Sequence, residues 1–249
     1  MTTTFSTPVA SRRLDLSGTY NLRDVGGYPL GEGSTKWHKL FRSDALHSVD
    51  QDGRDALREL NLALVIDLRE SHEVESAPNA LQGVGHREVH LPVYDGAINA
   101  TGTGFDLAAL YLQMVTDHAE ALTRAVRLIA ASGPGPVLVH CTAGKDRTGL
   151  VVALSLAAVG VSERDVIADY AVSETMLAGE WADRMVEAFK AYDLPDGFDV
   201  DEMVCASPAA LMRETLAYIT ANHGGVRHFL LAHGMTELEL ADLRACLIG

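Results

Sequence analysis

A cysteine and an arginine stand six positions apart in the stretch PVLVHCTAGKDRTGLVVALSLAAVG, residues 136 to 160. Cys141 closes a short β-branched run, Val137 to Val139, entered through Gly133-Pro134-Gly135-Pro136, and that run predicts a buried strand. Leu150 to Val159 is longer and rich in Ala and Leu, which predicts a helix. The loop between them carries Thr142, Ala143, Gly144, Lys145 and Asp146. Because it ends on a helix amino terminus, the backbone N–H groups of residues 142 to 147 can aim inward as an anion site, and phosphate fits such a cradle. Arg147 adds a planar fork of donors that grips two phosphate oxygens at once and does not titrate away. The amide dipoles, the helix terminus and Arg147 all favour thiolate over thiol at Cys141. In-line attack of that thiolate on phosphorus yields a phosphocysteine, which water then hydrolyses; this double displacement accounts for a Cys and an Arg at the two ends of one loop.

Other readings of the loop fare worse. A Walker phosphate loop needs a glycine five places before Gly144 and Ser or Thr after Lys145, where Val139 and Asp146 stand. Two alternatives to a phosphatase are a phosphate-binding module that has lost turnover, against which Cys141 and Arg147 both speak, and a rhodanese-like sulfurtransferase, whose loop lacks the Arg-Thr ending. The reaction also needs a carboxyl that protonates the leaving oxygen. Asp95 follows a strand pattern and precedes a flexible Gly; Asp146 lies inside the cradle, where the short loop keeps it near the ester without closure, and is favoured. Each has a plain alternative, Asp95 as a turn former and Asp146 as partner of a basic neighbour. His140 precedes the nucleophile on the strand and so points away from the bound phosphate, as a brace for the loop. Arg23, Asp24, Arg42, Asp67 and Arg69 are expected to form an ion-paired brace beneath it.

These groups need a frame. The chain has 249 residues, 47% of them apolar, enough for one substantial core, so a single domain over residues 1–249 is expected. Residues 19 to 43 predict two short strands joined by a Gly-rich turn; Asp50 or Ser48 caps a helix running to about Leu60; LALVIDLR and HREVHLPV predict strands. Leu107, Leu110, Tyr111, Met114, Leu122, Val126 and Ile129 follow helical spacing, which predicts one long helix over residues 106 to 131. From Val161 onward only helical patterns occur. The alternation means an α/β fold with a largely parallel central sheet flanked by helices. Residues 179 to 206, acidic and turn-rich, read as a lid-like insertion or as a solvated surface extension.

The three cysteines, Cys141, Cys205 and Cys246, are widely separated, so neither a disulfide framework nor a zinc site is expected and a reducing, cytoplasmic setting fits. No apolar stretch suits a signal peptide or a membrane anchor. A net charge of −14 opposes nucleic-acid and anionic-membrane binding, so an anionic substrate needs a locally basic pocket.

The decapeptide HCTAGKDRTG matches the His-Cys-five-residues-Arg-Ser/Thr signature of protein tyrosine phosphatases. Its Ala143-to-Thr148 portion resembles the atypical bacterial group with tyrosine, dual-specificity and phosphoinositide phosphatase activity. NLRDVGG, LFRSDAL, DLRESHEV, HLPVYD, VIADYAVS and GGVRHFL resemble that family's landmarks in order, so the likeness spans almost the whole chain. The resemblance implies the cysteine-phosphatase fold and a metal-free, cofactor-free hydrolase acting on a phosphorylated protein or a phosphoinositide. Cys141 is then the nucleophile and residues Thr142 to Thr148 bind the phosphate. It further implies that Asp146 acts as acid where conventional tyrosine phosphatases use a mobile-loop aspartate at the place of Asp95. Lys145 would sit on the rim as a second cation. The Thr148 hydroxyl, besides capping the helix, would hydrogen-bond the thiolate and help it leave. The helical stretch after residue 175 would cover the site.

Overall fold

The computed structural model describes residues 12–94, 106–189, 204 and 206–249. The first half alternates strand and helix: β1 (Arg23–Asp24), β2 (Pro29–Leu30), β3 (Gly33–Ser34), β4 (Leu40–Ser43), α1 (Gln51–Glu59), β5 (Leu64–Asp67), α2 (Ser71–Ser76) and β6 (Arg87–His90). Then come α3 (Leu107–Thr116), α4 (Ala119–Ala130), β7 (Val137–His140), α5 (Asp146–Val159), α6 (Glu163–Leu177) and α7 (Glu180–Phe189). The chain closes with α8 (Ala209–His223), α9 (Val226–Ala232) and α10 (Glu237–Leu247).

Five strands form one sheet in the order β1-β4-β7-β5-β6, parallel except where β1 meets β4, while β2 and β3 pair as the expected hairpin. Strand β7 lies centrally, and its register sets Ser43, His140 and Asp67 side by side at the carboxyl edge. Cys141 is the next residue, at the edge where open α/β sheets bind ligands.

The period of two sorts the side chains. Leu40, Leu64, Ile66, Val137 and Val139 face a large core with α3, α4, α5, α6 and the C-terminal helices, whereas Phe41, Val65 and Leu138 face a smaller one with Leu46, Leu57 and Leu81. Both faces are covered, which is why these strands read as continuous apolar runs. The same parity sends Cys141 to the large-core side and His140 to the other, where its Nε2 lies 3.6 Å from Asp67 and 3.3 Å from Asn79.

Two expectations need correction. The single helix over residues 106 to 131 is two, α3 and α4, broken at Asp117–His118. There Thr116 turns its hydroxyl back onto the carbonyl of Leu112 and onto the Asp117 carboxylate, side-chain bonds that compete with continuing the helix, while the apolar stripe runs on across the break. Helix α5 begins at Asp146, four residues before the apolar run, so Asp146, Arg147 and Thr148 stand in its first turn.

The ion-paired brace exists with a different membership. Arg23 and Arg42, fully buried, both pair with Asp169 of α6, Arg23 at 3.4 Å. Tyr28 donates to the same carboxylate at 2.9 Å. Burial and then the repulsion of Arg42 push Arg23 down to about 10; burial works against the Asp169 charge too, but the two guanidiniums hold its pKa below the usual range. Asp67 and Arg69 form a separate pair at 2.7 Å. Asp24 takes no part: it accepts the backbone N–H groups of Gly26 and His38 and so ties together the two ends of the segment that carries β2 and β3. Asp169→Ala would leave two buried guanidiniums without their carboxylate and is expected to cost about 3–5 kcal/mol in urea unfolding. A loss under about 1 kcal/mol would mean that water or another group takes over the pair.

Candidate active site

Four consecutive carbonyls of the loop after β7 are each claimed by a donor outside the cradle. The carbonyl of Thr142 accepts from Ala45 N (3.0 Å), that of Ala143 from Asn21 Nδ2 (2.8 Å), that of Gly144 from Arg42 (2.7 Å) and that of Lys145 from Gly149 N (2.9 Å). In a trans peptide the C=O and the following N–H point opposite ways, so these bonds turn the N–H groups of residues 143 to 146 toward the loop's centre. Gly144 has φ +65°, and a Cβ there would meet the carbonyl oxygen of Ser43 at 2.3 Å, so only glycine lets the loop lie against the end of β4. The first turn of α5 adds its dipole behind the same centre.

Cys141 is buried at the floor of a cavity of about 210 Å³. Around it stand Thr142, Ala143, Asp146 and Arg147, with Tyr94, Leu107, Leu110, Trp181, Met185 and Val204 as walls. Arg147 reaches Glu73 of α2 with both terminal nitrogens, at 2.5 and 3.0 Å. Thr142 donates its hydroxyl to the same carboxylate. That geometry uses the end of the guanidinium and leaves the edge with Nε for a second oxyanion, and Tyr94 covers its face, ring centroid 5.2 Å from Cζ. Burial would raise the Glu73 pKa, but the pair with Arg147 and the Thr142 hydroxyl hold it down to about 2. Burial likewise opposes the Arg147 charge; Cys141 and Glu73 overcome it and raise its pKa well above the ordinary value.

Asp146 lines the cavity, one oxygen receiving the Tyr111 hydroxyl at 2.8 Å. The Thr148 hydroxyl is buried with no hydrogen-bond partner among the described residues, and the N-cap of α5 is Lys145, so Thr148 caps nothing. Lys145 departs from the rim position: its side chain is fully buried, Nζ 3.8 Å from Asp146 and 3.5 Å from the carbonyl of Val204. Asp95 lies outside the described residues, as does Cys205. Among the described residues no three His, Cys, Asp or Glu side chains gather as a metal site.

The sequence pattern of the Tyrosine phosphatase family matches residues 14–249. The chain belongs to that family. It is 35% identical to the Triple specificity protein phosphatase PtpB of Mycobacterium tuberculosis, over 94% of this chain and 99% of that one. It is 29% identical to the Tyrosine-protein phosphatase of Nostoc commune, over 82% of this chain and 72% of that one. The solved structure of P. aeruginosa TpbA aligns at 19% identity with a TM-score of 0.34, covering 79% of this chain and 86% of that one. The protein is a cysteine-dependent phosphatase.

Sequence reasoning brought this phosphatase's Cys141, Asp146 and Arg147 to one cavity but missed Asn21, Glu73, Tyr94, Tyr111 and Asp169. The visible trace of Glu73 is its place at the third position of α2, where its carboxylate also accepts the Glu70 N–H at 2.7 Å as half of a capping box.

Acid should unfold the protein in a defined window. Glu73 and Asp67, each held down to about 2, have folded values below their unfolded ones, so their stabilisation is lost as pH falls from about 4.5 toward about 2. At higher pH two groups offset each other: burial pushes His140 down to about 4, which loses stability on acidification, and pushes Asp44 up to about 6, which regains it. Thermal midpoints should therefore stay nearly level from pH 7 to about 5 and fall steeply below about 4.5, less steeply in Glu73→Gln. A midpoint that holds to pH 3 would contradict the ionised Glu73–Arg147 pair.

Proposed function

We propose that the protein hydrolyses phosphate monoesters, phosphotyrosine first among them, through a phosphocysteine on Cys141. The observation that carries this reading is the clamped loop: four of its carbonyls are held by donors outside it, which turns its N–H groups toward the cavity that Cys141 and Arg147 both line. In the first step Sγ attacks phosphorus in line while the ester oxygen departs with a proton from Asp146. In the second, Asp146, now a carboxylate, takes a proton from the water that breaks the Sγ–P bond. The amides of residues 143 to 146 and Arg147 hold the equatorial oxygens throughout. The Thr148 hydroxyl, expected to bond the thiolate, has no hydrogen-bond partner among the described residues, Cys141 included, and is given no part in these steps.

The cavity walls support an aryl ester, since Leu107, Leu110, Trp181 and Met185 are apolar and Tyr94 is aromatic. Phosphoserine, phosphothreonine and phosphoinositides are further candidates through the resemblance of Ala143 to Thr148 to the atypical bacterial group, and the mycobacterial relative is named a triple specificity phosphatase. Buried as it is, Lys145 offers no ready partner to the extra phosphates of an inositol headgroup, which favours the aryl ester. We read residues 1–249 as one phosphatase domain in which residues 179–206 cover the site, because Trp181, Met185 and Val204 from that stretch wall the cavity. A thiolate nucleophile works only while reduced, which supports a cytoplasmic setting. No helix among the described residues is long and apolar enough to cross a membrane.

Cys141→Ser should lower turnover of p-nitrophenyl phosphate by about 10⁴-fold or more while the protein still melts cooperatively and binds phosphate. Arg147→Lys should cost on the order of 10²- to 10³-fold, because an ammonium cannot reproduce the fork. Appreciable turnover in the serine variant, or a stoichiometric metal requirement, would remove the thiolate mechanism.

Asp146 is tested against Asp95 by leaving group. Asp146→Asn should slow phenyl and alkyl phosphates by about 10²-fold or more and p-nitrophenyl phosphate far less, since a nitrophenolate scarcely needs a proton. The selective pattern appearing in Asp95→Asn instead would transfer the role to Asp95.

A further inference from the structure

One buried chain of hydroxyls ends on the acid. Tyr111 of α3 and Tyr170 of α6 are both fully buried, their rings edge to face at 5.9 Å between centroids. The Tyr111 hydroxyl oxygen lies 2.8 Å from Asp146 Oδ1 and 2.9 Å from the hydroxyl oxygen of Tyr170. A phenol has one proton to give. Given to the carboxylate, the stronger acceptor, it leaves the Tyr111 oxygen to accept from Tyr170. Burial, and next the neighbouring Asp146 charge, raise the Tyr111 pKa far above the ordinary phenol value, so this group donates a hydrogen bond and does not act as a base. Lys145 Nζ lies 3.8 Å from the same Oδ1. Donor and cation thus converge on one of the two carboxyl oxygens of a side chain that lines the reaction cavity.

We propose that Tyr111, backed by Tyr170, is the positioning residue of the general acid: it ties down Asp146 Oδ1 so that Oδ2 carries the proton for the leaving oxygen. The inference rests on Asp146 as the acid. As the Sγ–P bond forms and the P–O ester bond breaks, the electron pair stays on the leaving oxygen, and the Oδ2 proton moves to it. The products are the free alcohol or phenol, the phosphocysteine and the Asp146 carboxylate. The Tyr111 proton stays in place, because Oδ1 accepts it both as the carbonyl oxygen of the acid and as half of the carboxylate. Two soft torsions of an aspartate in a helix's first turn are thereby held without any loop closing over them.

The test is a double-mutant cycle read through leaving groups, on p-nitrophenyl, phenyl and alkyl phosphates. Tyr111→Phe keeps the ring and removes the donor. It should slow phenyl and alkyl phosphates by roughly tenfold, p-nitrophenyl phosphate by about twofold, and add less than about twofold on any ester in the Asp146→Asn background. Equal losses on all esters, or losses that multiply fully with those of Asp146→Asn, would reduce Tyr111 to a packing residue and overturn the proposal. Tyr170→Phe should repeat the selective pattern more weakly, and it decides the matter alone if Tyr111→Phe fails to fold: a selective loss supports the chain, an unselective one overturns it. If Asp146→Asn is itself unselective, the acid assignment falls and this inference with it. A selective Asp146→Asn beside an unselective Tyr111→Phe sinks the inference only.

Discussion

The anion cradle depends on carbonyls being held away from it. A loop of five residues has too few contacts of its own to choose which way its peptide planes face, and a carbonyl turned inward would repel the phosphate that an N–H attracts. Here the choice is made by neighbours: the segment after β4 through Ala45, the segment before β1 through Asn21, β4 itself through Arg42, and α5 through Gly149. The parallel register that sets Ser43 beside His140 brings those neighbours within reach. Sheet topology and amide orientation are thus one problem with one solution.

Helix α6 extends that arrangement inward. Its consecutive residues Asp169 and Tyr170 serve the two halves of the site: Asp169 neutralises Arg42, which holds the Gly144 carbonyl, and Tyr170 supports the hydroxyl that reaches Asp146. Two guanidiniums on one carboxylate leave a formal excess of one positive charge buried beneath the loop. In low dielectric this excess reinforces the amide dipoles and favours the bound dianion.

How much of this could be read from the chain alone follows from distance along it. Cys141, Gly144 and Arg147 lie within one loop, and strands β5 and β7 are unbroken apolar runs, so nucleophile, phosphate binder and parallel sheet were legible. The partners that complete the site are remote: Glu73 is 74 residues from Arg147, Asn21 is 122 from Ala143 and Asp169 is 127 from Arg42. No local pattern distinguishes a glutamate capping a short helix from one holding a guanidinium, and Glu73 does both. Tyr111 fits the apolar stripe of α3 so well that its hydroxyl gave no signal. Lys145 was misplaced because neighbourhood in the loop does not fix side-chain direction, which the segment at Val204 decides.

The pairing of Glu73 with Arg147 also governs how substrate arrives. The two charges cancel at a distance, and the chain as a whole carries a net charge of −14. A dianion approaching through water therefore meets no long-range pull, and beyond about 8 Å at physiological ionic strength it meets little field of any kind from the site. Attraction begins only once the phosphate is among the amides and the free edge of Arg147. Encounter is left to diffusion and to whatever the rest of the substrate contributes, so the site discriminates by how long a phosphate stays rather than by how often one comes.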